Sequence, residues 1–178
     1  MKLSEGILGD TGALRLPQFT FQDERGVFSH LFRMQDNTFE QNIDFRQLRN
    51  IYSSFNPING TFRGYHKQAS PHGEGKVLSC VSGAALHIVL KVFKSKLSFD
   101  TNILSSYDGN ATFIPRDCYS GFITLEPNSS LIYLTDSDYT PASSLGIRWN
   151  DPILAEVELP NEPVSISPKD LGYPDFFA

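Results

Sequence analysis

Short runs of apolar residues, interrupted every few positions by turn formers, constrain this fold more than any other feature of the sequence. No long segment places apolar residues at helical spacing, and the best helical candidate is the short segment 36–42. Turn signals such as Asn59-Gly60 and Ser82-Gly83 separate runs rich in aromatic and β-branched residues. The chain is therefore predicted to be all-β, a sandwich or barrel of short strands.

The predicted strands share this pattern of a short apolar run between turn residues. They cover residues 13–21, 27–33, 47–55, 61–67, 76–81, 84–93, 111–114, 121–125, 130–135 and 153–159. Prolines recur after Leu159, so we expect an ordered but irregular segment there. A length of 178 residues suits one domain, residues 1–178.

The run 84–93 alternates between two faces. One face carries only Leu and other aliphatic residues, so it is expected to pack against a second layer. The other face carries His87 and Lys91, so we expect it to meet water, a partner or a pocket.

Charge and composition exclude several classes of protein. The net charge of −5 argues against a nucleic-acid partner. No apolar run approaches the roughly 20 residues that span a bilayer, and residues 1–7 lack a signal-peptide pattern. Cys80 and Cys118 lie in apolar runs and are interpreted as free thiols of a cytoplasmic protein.

A metal site is not expected. The four histidines are His30, His66, His72 and His87, and no two of them form a His-x-His pair. Close spacing of that kind is typical of metal-binding β-barrels, although scattered residues can also converge on an ion.

The segment 61–68 is the most informative. It places Arg63, His66 and Gln68 on one predicted strand, and strict alternation would put Arg63 and His66 on opposite faces. If both side chains reach one ligand, the strand has to bulge, and Gly64 is the expected position of that irregularity. A solvated edge strand is the alternative interpretation.

Five segments in register resemble the dTDP-4-dehydrorhamnose 3,5-epimerase family. The first is the RG-x-H-x-Q pattern of residues 63–68. The others are F-x-D-x-RG-x-F at 21–28, Gly75-Lys76 followed by Ser82-Gly83, the block from Tyr133 through Tyr139-Thr-Pro141 to Gly146-Ile-Arg-Trp-Asn-Asp-Pro152, and Ser167-Pro-Lys-Asp170. The resemblance implies a cupin-type jelly roll with short peripheral helices. It also implies a homodimer, no cofactor, and a nucleotide-linked 4-keto-6-deoxy sugar as substrate.

The resemblance also assigns the catalytic roles. His66 would remove the proton next to the ketone, with Asp170 behind it to fix the tautomer and stabilise the imidazolium. Lys76, with Arg63 nearby, would stabilise the enolate oxygen, and Tyr133 would return a proton on the opposite face. Taken without the resemblance, Asp170 is better interpreted as a capping residue and Tyr133 as a core aromatic.

Substrate-binding residues follow from the same match. Arg63 and Arg25 would bind the diphosphate, and Arg25 would reach across the dimer interface. Phe21 and Tyr139 match aromatic positions near the nucleotide and the sugar, with core packing as the alternative. Gln68 belongs to the matched strand.

The chain departs from the family pattern at several pocket positions. His87 replaces an aspartate, Ser120 replaces a histidine, and His30 replaces a glutamate near the nucleobase. We hypothesise that His87 reaches the volume left at Ser120. The departures keep three outcomes open: a single-centre epimerase, a 3,4-ketoisomerase on the same fold, and a non-catalytic nucleotide-sugar binding protein.

Overall fold

The computed structural model describes residues 6–32 and 45–177. Its strands are short and are numbered in chain order. They are β1 (Gly6–Ile7), β2 (Leu14–Pro17), β3 (Phe19–Asp23), β4 (Gly26–His30), β5 (Asn50–Asn56), β6 (Phe62–Gln68), β7 (Lys76–Ser82), β8 (Ala84–Phe93), β9 (Lys96–Ser105), β10 (Asn110–Ile114), β11 (Tyr119–Thr124), β12 (Ser129–Thr135) and β13 (Ser144–Gly146). One helical turn, α1 (Pro168–Leu171), and 3₁₀ turns at Pro141–Ser143 and Pro152–Leu154 complete the elements.

The strands form two facing sheets and a separate hairpin. One sheet has six strands in the order β1-β2-β10-β7-β12-β5, and the other has five in the order β13-β6-β11-β8-β9. Within the described residues, strands β3 and β4 pair only with each other. Neighbours within the sheets are antiparallel and mostly non-consecutive in sequence, which is the crossover pattern of a jelly roll. The predicted all-β cupin fold is confirmed.

Apolar side chains fill three layers. Leu78, Val89 and Phe122 belong to the core between the two sheets. The outer face of the five-stranded sheet, with Ile88 at its centre, is covered by the C-terminal segment through Trp149, Leu154, Phe176 and their neighbours. The outer face of the six-stranded sheet packs on residues that include Phe32, Phe45 and Leu48. Cys80 and Cys118 are free and buried, as predicted.

Strand β8 has the predicted bounds, and its apolar face is covered as predicted, but its other face differs from expectation. The wholly apolar face packs against the C-terminal segment, which forms the second layer. On the other face Lys91 reaches Asp117 at 2.9 Å, while His87 is only 1% exposed and lies in the core between the sheets. The prediction that this face meets water, a partner or a pocket is therefore wrong at His87, because its neighbours Ala85 and Val89 are core residues.

Three other predicted elements are wrong in type or extent. Residues 153–159 are not a strand, because Pro152 begins a 3₁₀ turn that Asp151 caps by accepting from the Ile153 amide at 3.0 Å. The predicted strand 13–21 divides at Gln18 into β2 and β3, which belong to different sheets. Strand β4 ends at His30, before the predicted end at residue 33. The predicted helix 36–42 lies outside the described residues.

Strand β9 was not predicted at all. The turn before it consists of Lys94 and Ser95, which have φ values of 49° and 61°. Two consecutive left-handed residues make a tight hairpin turn that normally selects Asn and Gly, so the sequence carries no turn signal there. After Leu159 the chain is ordered and mostly irregular, as predicted. No helix among the described residues has the length and apolarity needed to cross a membrane.

Candidate active site

A bulge in β6 brings Arg63 and His66 to one face of the sheet. On β11, Ser120 is opposite His66 and Phe122 is opposite Arg63, so β6 carries one extra residue between these pairs. Gly64 takes a φ of 142°, and a Cβ there would lie 2.5 Å from the Gly121 Cα. The predicted irregularity at Gly64 is confirmed, and only glycine fits it.

Asp170 forms a close pair with His66. The His66 Nε2 lies 2.6 Å from the Asp170 Oδ1, and Asp170 is 4% exposed. The Ser167 hydroxyl accepts from the Asp170 amide at 3.1 Å and so caps α1. Burial raises the pKa of Asp170, but hydrogen bonds from His66, Ser167 and the Gly64 amide and the charge of His66 outweigh it, so the pKa is lowered. The carboxylate is ionised near neutral pH and fixes one imidazole tautomer, leaving the other ring nitrogen as a base.

Tyr173 holds the other side of the His66 ring, and the sequence analysis missed it. The two rings meet edge to face with centroids 6.2 Å apart. A Cβ on Gly146 would lie 2.1 Å from the Tyr173 ring, so glycine at 146 makes room for Tyr173. The glycine of the Gly146–Pro152 block was the available signal.

The opposite wall comes from the six-stranded sheet. Lys76 pairs with Thr135 and Leu78 with Tyr133, so these residues share the inner face. Burial raises the pKa of Tyr133 to about 12, although a hydrogen bond with Ser54 and the charge of Arg63 act in the other direction. The Tyr133 phenol is therefore protonated at neutral pH and can donate a proton.

Lys76 has a carboxylate partner that the sequence analysis also missed. Its Nζ lies 2.8 Å from the Glu74 Oε1. The only signal was an acid two positions before the lysine across Gly75.

One cavity of about 710 Å³ unites these groups. Seven of the sequence-predicted site residues line it, namely Arg63, His66, Gln68, Lys76, Tyr133, Tyr139 and Asp170. Lys169, Glu74 and Ser54 also line it and were not predicted. The four catalytic candidates, His66, Lys76, Tyr133 and Asp170, thus line one cavity, and their catalytic roles stay predictions.

Gln68 is engaged with the segment around Tyr139. Its side-chain amide donates to the Asp138 carbonyl at 3.1 Å and accepts from the Thr140 amide at 2.6 Å. These two bonds fix the backbone on both sides of Tyr139, whose ring is exposed at the cavity. The role of Gln68 in binding substrate stays a prediction.

Phe21, Arg25 and His30 lie on the β3–β4 hairpin and do not line this cavity within the described part of the chain. The centroids of the Phe21 and Phe28 rings lie 6.5 Å apart, and both side chains are largely exposed. The Arg25 guanidinium pairs with Asp23 at 2.6 Å in the turn between the two strands. The chain thus presents Phe21 and Arg25 to solvent, whereas His30 is partly buried.

His87 and Ser120 share the interior face of the five-stranded sheet but do not line the cavity as described. Ser120 is opposite Val89, and His87 is opposite Phe122. Neither ring nitrogen of His87 has a hydrogen-bond partner among the described residues, so no hydrogen bond links it to Ser120. Burial, followed by the charge of Lys76, lowers the pKa of His87 to about 3, so its ring is neutral.

Among the described residues, no cluster of three or more His, Cys, Asp or Glu side chains is arranged to hold a metal ion. The expectation that no cofactor is needed stays a prediction.

A jelly roll whose interior cavity joins a histidine–carboxylate pair to a lysine and a protonated phenol defines a cupin-type enzyme built for proton transfer. Comparison with known proteins agrees. The family described as dTDP-4-dehydrorhamnose 3,5-epimerase matches residues 11–177, and the chain belongs to this family of isomerases.

Relatives and solved structures extend the match over most of the chain. The dTDP-4-dehydrorhamnose 3,5-epimerase of Shigella flexneri is 27% identical over 157 residues, which cover 85% of this chain and 84% of that protein. The dTDP-4-dehydrorhamnose 3-epimerase of Streptomyces niveus is 26% identical over 167 residues, covering 92% and 79%. The crystal structure of dTDP-4-dehydrorhamnose 3,5-epimerase from Bacillus anthracis, with TDP and PPi bound, matches with a TM-score of 0.84 at 25% identity, covering 96% and 99%.

Proposed function

We propose that this protein epimerises a nucleotide-linked 4-keto-6-deoxyhexose by removing a proton next to the ketone and returning one on the opposite face. The proposal is carried by one observation: the base and the acid lie on different sheets that face the same cavity. The His66–Asp170 pair is built on the five-stranded sheet and α1, whereas Tyr133 projects from the six-stranded sheet across the same cavity. A base and an acid on facing walls suit inversion at a carbon held between them.

The chemical steps follow from the contacts. The neutral His66 ring accepts the proton from the carbon next to the ketone, and the Asp170 carboxylate stabilises the imidazolium that forms. Negative charge moves to the ketone oxygen, where the Lys76 ammonium supports the enolate. The Tyr133 phenol then donates its proton to the other face of the carbon. Solvent reprotonates the phenolate, and the His66 imidazolium releases its proton to solvent, which restores both groups for the next turnover.

The nucleotide diphosphate is proposed to bind at the cavity's cationic side chains. Arg63 is held in place because its Nε donates to the Asn56 Oδ1 at 2.8 Å, and Asn56 is itself buried. Lys169 lines the same cavity. Arginine suits the diphosphate because its planar fork binds two oxygens. The bound TDP of the Bacillus anthracis relative supports a thymidine nucleotide here.

We further propose a homodimer in which the β3–β4 hairpin completes the partner's site. The hairpin pairs with no other strand among the described residues, and it exposes Phe19, Phe21 and Phe28 by more than 60% each. Exposed aromatic residues on a projecting ribbon are typical of an interface. Arg25 would then add a second guanidinium to the diphosphate. The cytoplasmic location also stays a prediction.

Mixing two inactive variants tests this arrangement. Arg25→Ala and His66→Asn each weaken or abolish turnover, but a mixed dimer contains one site with both residues intact. Co-refolded variants should regain activity that neither shows alone. No recovery on mixing, or a monomer by light scattering, would refute the shared site.

Deuterium incorporation tests the function itself. The protein is incubated in D₂O with dTDP-4-keto-6-deoxyglucose, and the sugar is followed by NMR. Deuterium with inverted configuration at C3 and C5 indicates a 3,5-epimerase, and at one carbon a single-centre epimerase. A ketone that moves to C3 would identify a ketoisomerase, whereas binding without exchange would identify a non-catalytic protein.

A further inference from the structure

The Lys76–Glu74 pair is a buried charge pair inside the cavity. The two side chains are only 13% and 10% exposed. Removing two charges from water is costly, and the attraction compensates only when the geometry is well fixed. The loop that carries Glu74 shows how the geometry is fixed.

Both peptide groups that flank Glu74 are anchored by one ion pair. The Arg116 Nη1 donates to the Gly73 carbonyl at 2.9 Å, and the Asp136 Oδ1 accepts from the Gly75 amide at 2.9 Å. Arg116 and Asp136 are themselves paired. The backbone on each side of Glu74 is thus held in place, and the side chain is directed to the cavity lysine.

His87 does not serve as a second counter-ion. It lies close enough for the Lys76 charge to act on it, yet burial keeps its ring neutral. Acids and bases near Lys76 include Glu74, His87, the His66–Asp170 pair and the Arg116–Asp136 pair. The other titratable side chains that line the same cavity are Tyr52, Arg63, Lys67, Tyr133, Tyr139 and Lys169. Of the acids in this set, Asp170 is already paired with His66, and Asp136 with Arg116. Glu74 is the carboxylate directed to Lys76.

We propose that Glu74 is a positioning residue, which holds the Lys76 ammonium in place and aims it at the ketone oxygen of the substrate. This inference rests on the proposed function. Its carboxylate fixes where the ammonium lies, and its charge offsets the cost of burying that ammonium. The ketone oxygen needs this cation in place before enolate charge develops.

Two substitutions separate charge from reach. Glu74→Gln keeps the length of the side chain and removes the charge, while Glu74→Asp keeps the charge and shortens the reach. Glu156→Gln, at an exposed position that does not line the cavity, removes one negative charge as a control. The measurement is kcat and KM as a function of pH for all three variants.

The expected results differ between the two variants. In Glu74→Gln the alkaline limb of kcat should move to lower pH by about 1 unit or more, because a buried ammonium without its counter-ion loses its proton more readily. Glu74→Asp should keep the wild-type alkaline limb but show a lower kcat throughout, and Glu156→Gln should behave as wild type. A Glu74→Gln profile that superimposes on the wild-type profile would overturn the inference.

A denaturation cycle keeps this inference separate from the proposed function. Urea unfolding of Glu74→Gln, Lys76→Met and the double variant needs no substrate. The ion pair requires that Glu74→Gln lowers the midpoint and that adding Lys76→Met restores part of it; independent, additive effects would contradict the pair. A wild-type protein that exchanges no deuterium would instead remove the proposed function, and with it the catalytic role of Glu74, while the cycle still reports the pair.

Discussion

The two walls of the cavity carry different kinds of charge. On the five-stranded sheet the His66 ring is partly exposed and paired with a buried carboxylate, so it can gain and lose a proton during turnover. On the six-stranded sheet the Tyr133 phenol stays protonated and the Lys76 ammonium is fixed by Glu74. The difference indicates that one wall accepts charge during the reaction while the other supplies a proton and a fixed positive charge.

Replacing His66, the base that gains and loses a proton, should have the largest effect on activity. His66→Asn keeps a polar side chain of similar size but removes the base, so deuterium exchange should fall by about 10²- to 10⁴-fold. The check is the initial exchange rate by NMR, with circular dichroism showing that the fold is retained. Wild-type exchange in this variant would exclude His66 as the base.

Removing the acid on the facing wall should uncouple two observables. Tyr133→Phe leaves His66 able to abstract the proton and to return one on the same face, so deuterium should enter without inversion. Epimerised product should fall by about 10²-fold or more. Parallel losses of exchange and inversion would show that the two walls do not act separately.

A smaller effect is expected from weakening Arg63, which we propose binds the diphosphate of the substrate. Asn56→Ala removes the acceptor that orients Arg63, and a hydrogen bond to a charged group is commonly worth about 1.5–3 kcal/mol. KM should rise roughly tenfold or more with kcat little changed. Asn161→Ala, at an exposed asparagine, is the control. A change confined to kcat would contradict a binding role for Arg63.

The smallest effect concerns stability and pH. The pKa of Asp170 lies below its ordinary value of 3.8, so its ionised form stabilises the folded protein. That contribution is fully present above the unfolded pKa and is lost as pH falls through the folded one. The difference in free energy of unfolding between wild type and Asp170→Asn should therefore shrink as the solution is acidified below about pH 5. If the difference grew on acidification, folding would raise the pKa of Asp170 and not lower it, and the prediction would be wrong.

The sequence predicted the catalytic residues of the five-stranded sheet better than the residue contacts on the six-stranded sheet. His66, Asp170 and the bulge at Gly64 are recognisable because motif residues and a glycine mark them. Glu74 and Tyr173 were missed because their roles depend on contacts made by the folded loops. Strand β9 was missed since its turn residues, Lys94 and Ser95, carry no turn signal.

The placement of Phe21, Arg25 and His30 shows a different limit. Phe21 and Arg25 belong to a motif, yet the chain exposes them on the hairpin, away from the cavity. His30 follows that motif and is partly buried on the same hairpin. The burial of His87 could not be predicted from the alternation of residues along its strand. Whether that face meets water depends on the sheet that packs against it across the core.

The central claim is that base and acid approach the sugar from opposite faces. A crystal structure with dTDP-6-deoxyglucose, in which a hydroxyl replaces the ketone and prevents turnover, tests it directly. We expect a His66 ring nitrogen about 3–3.5 Å from C3 on one face and the Tyr133 Oη on the other. If both groups lie on the same face of the ring, or the sugar lies outside this cavity, the account is wrong.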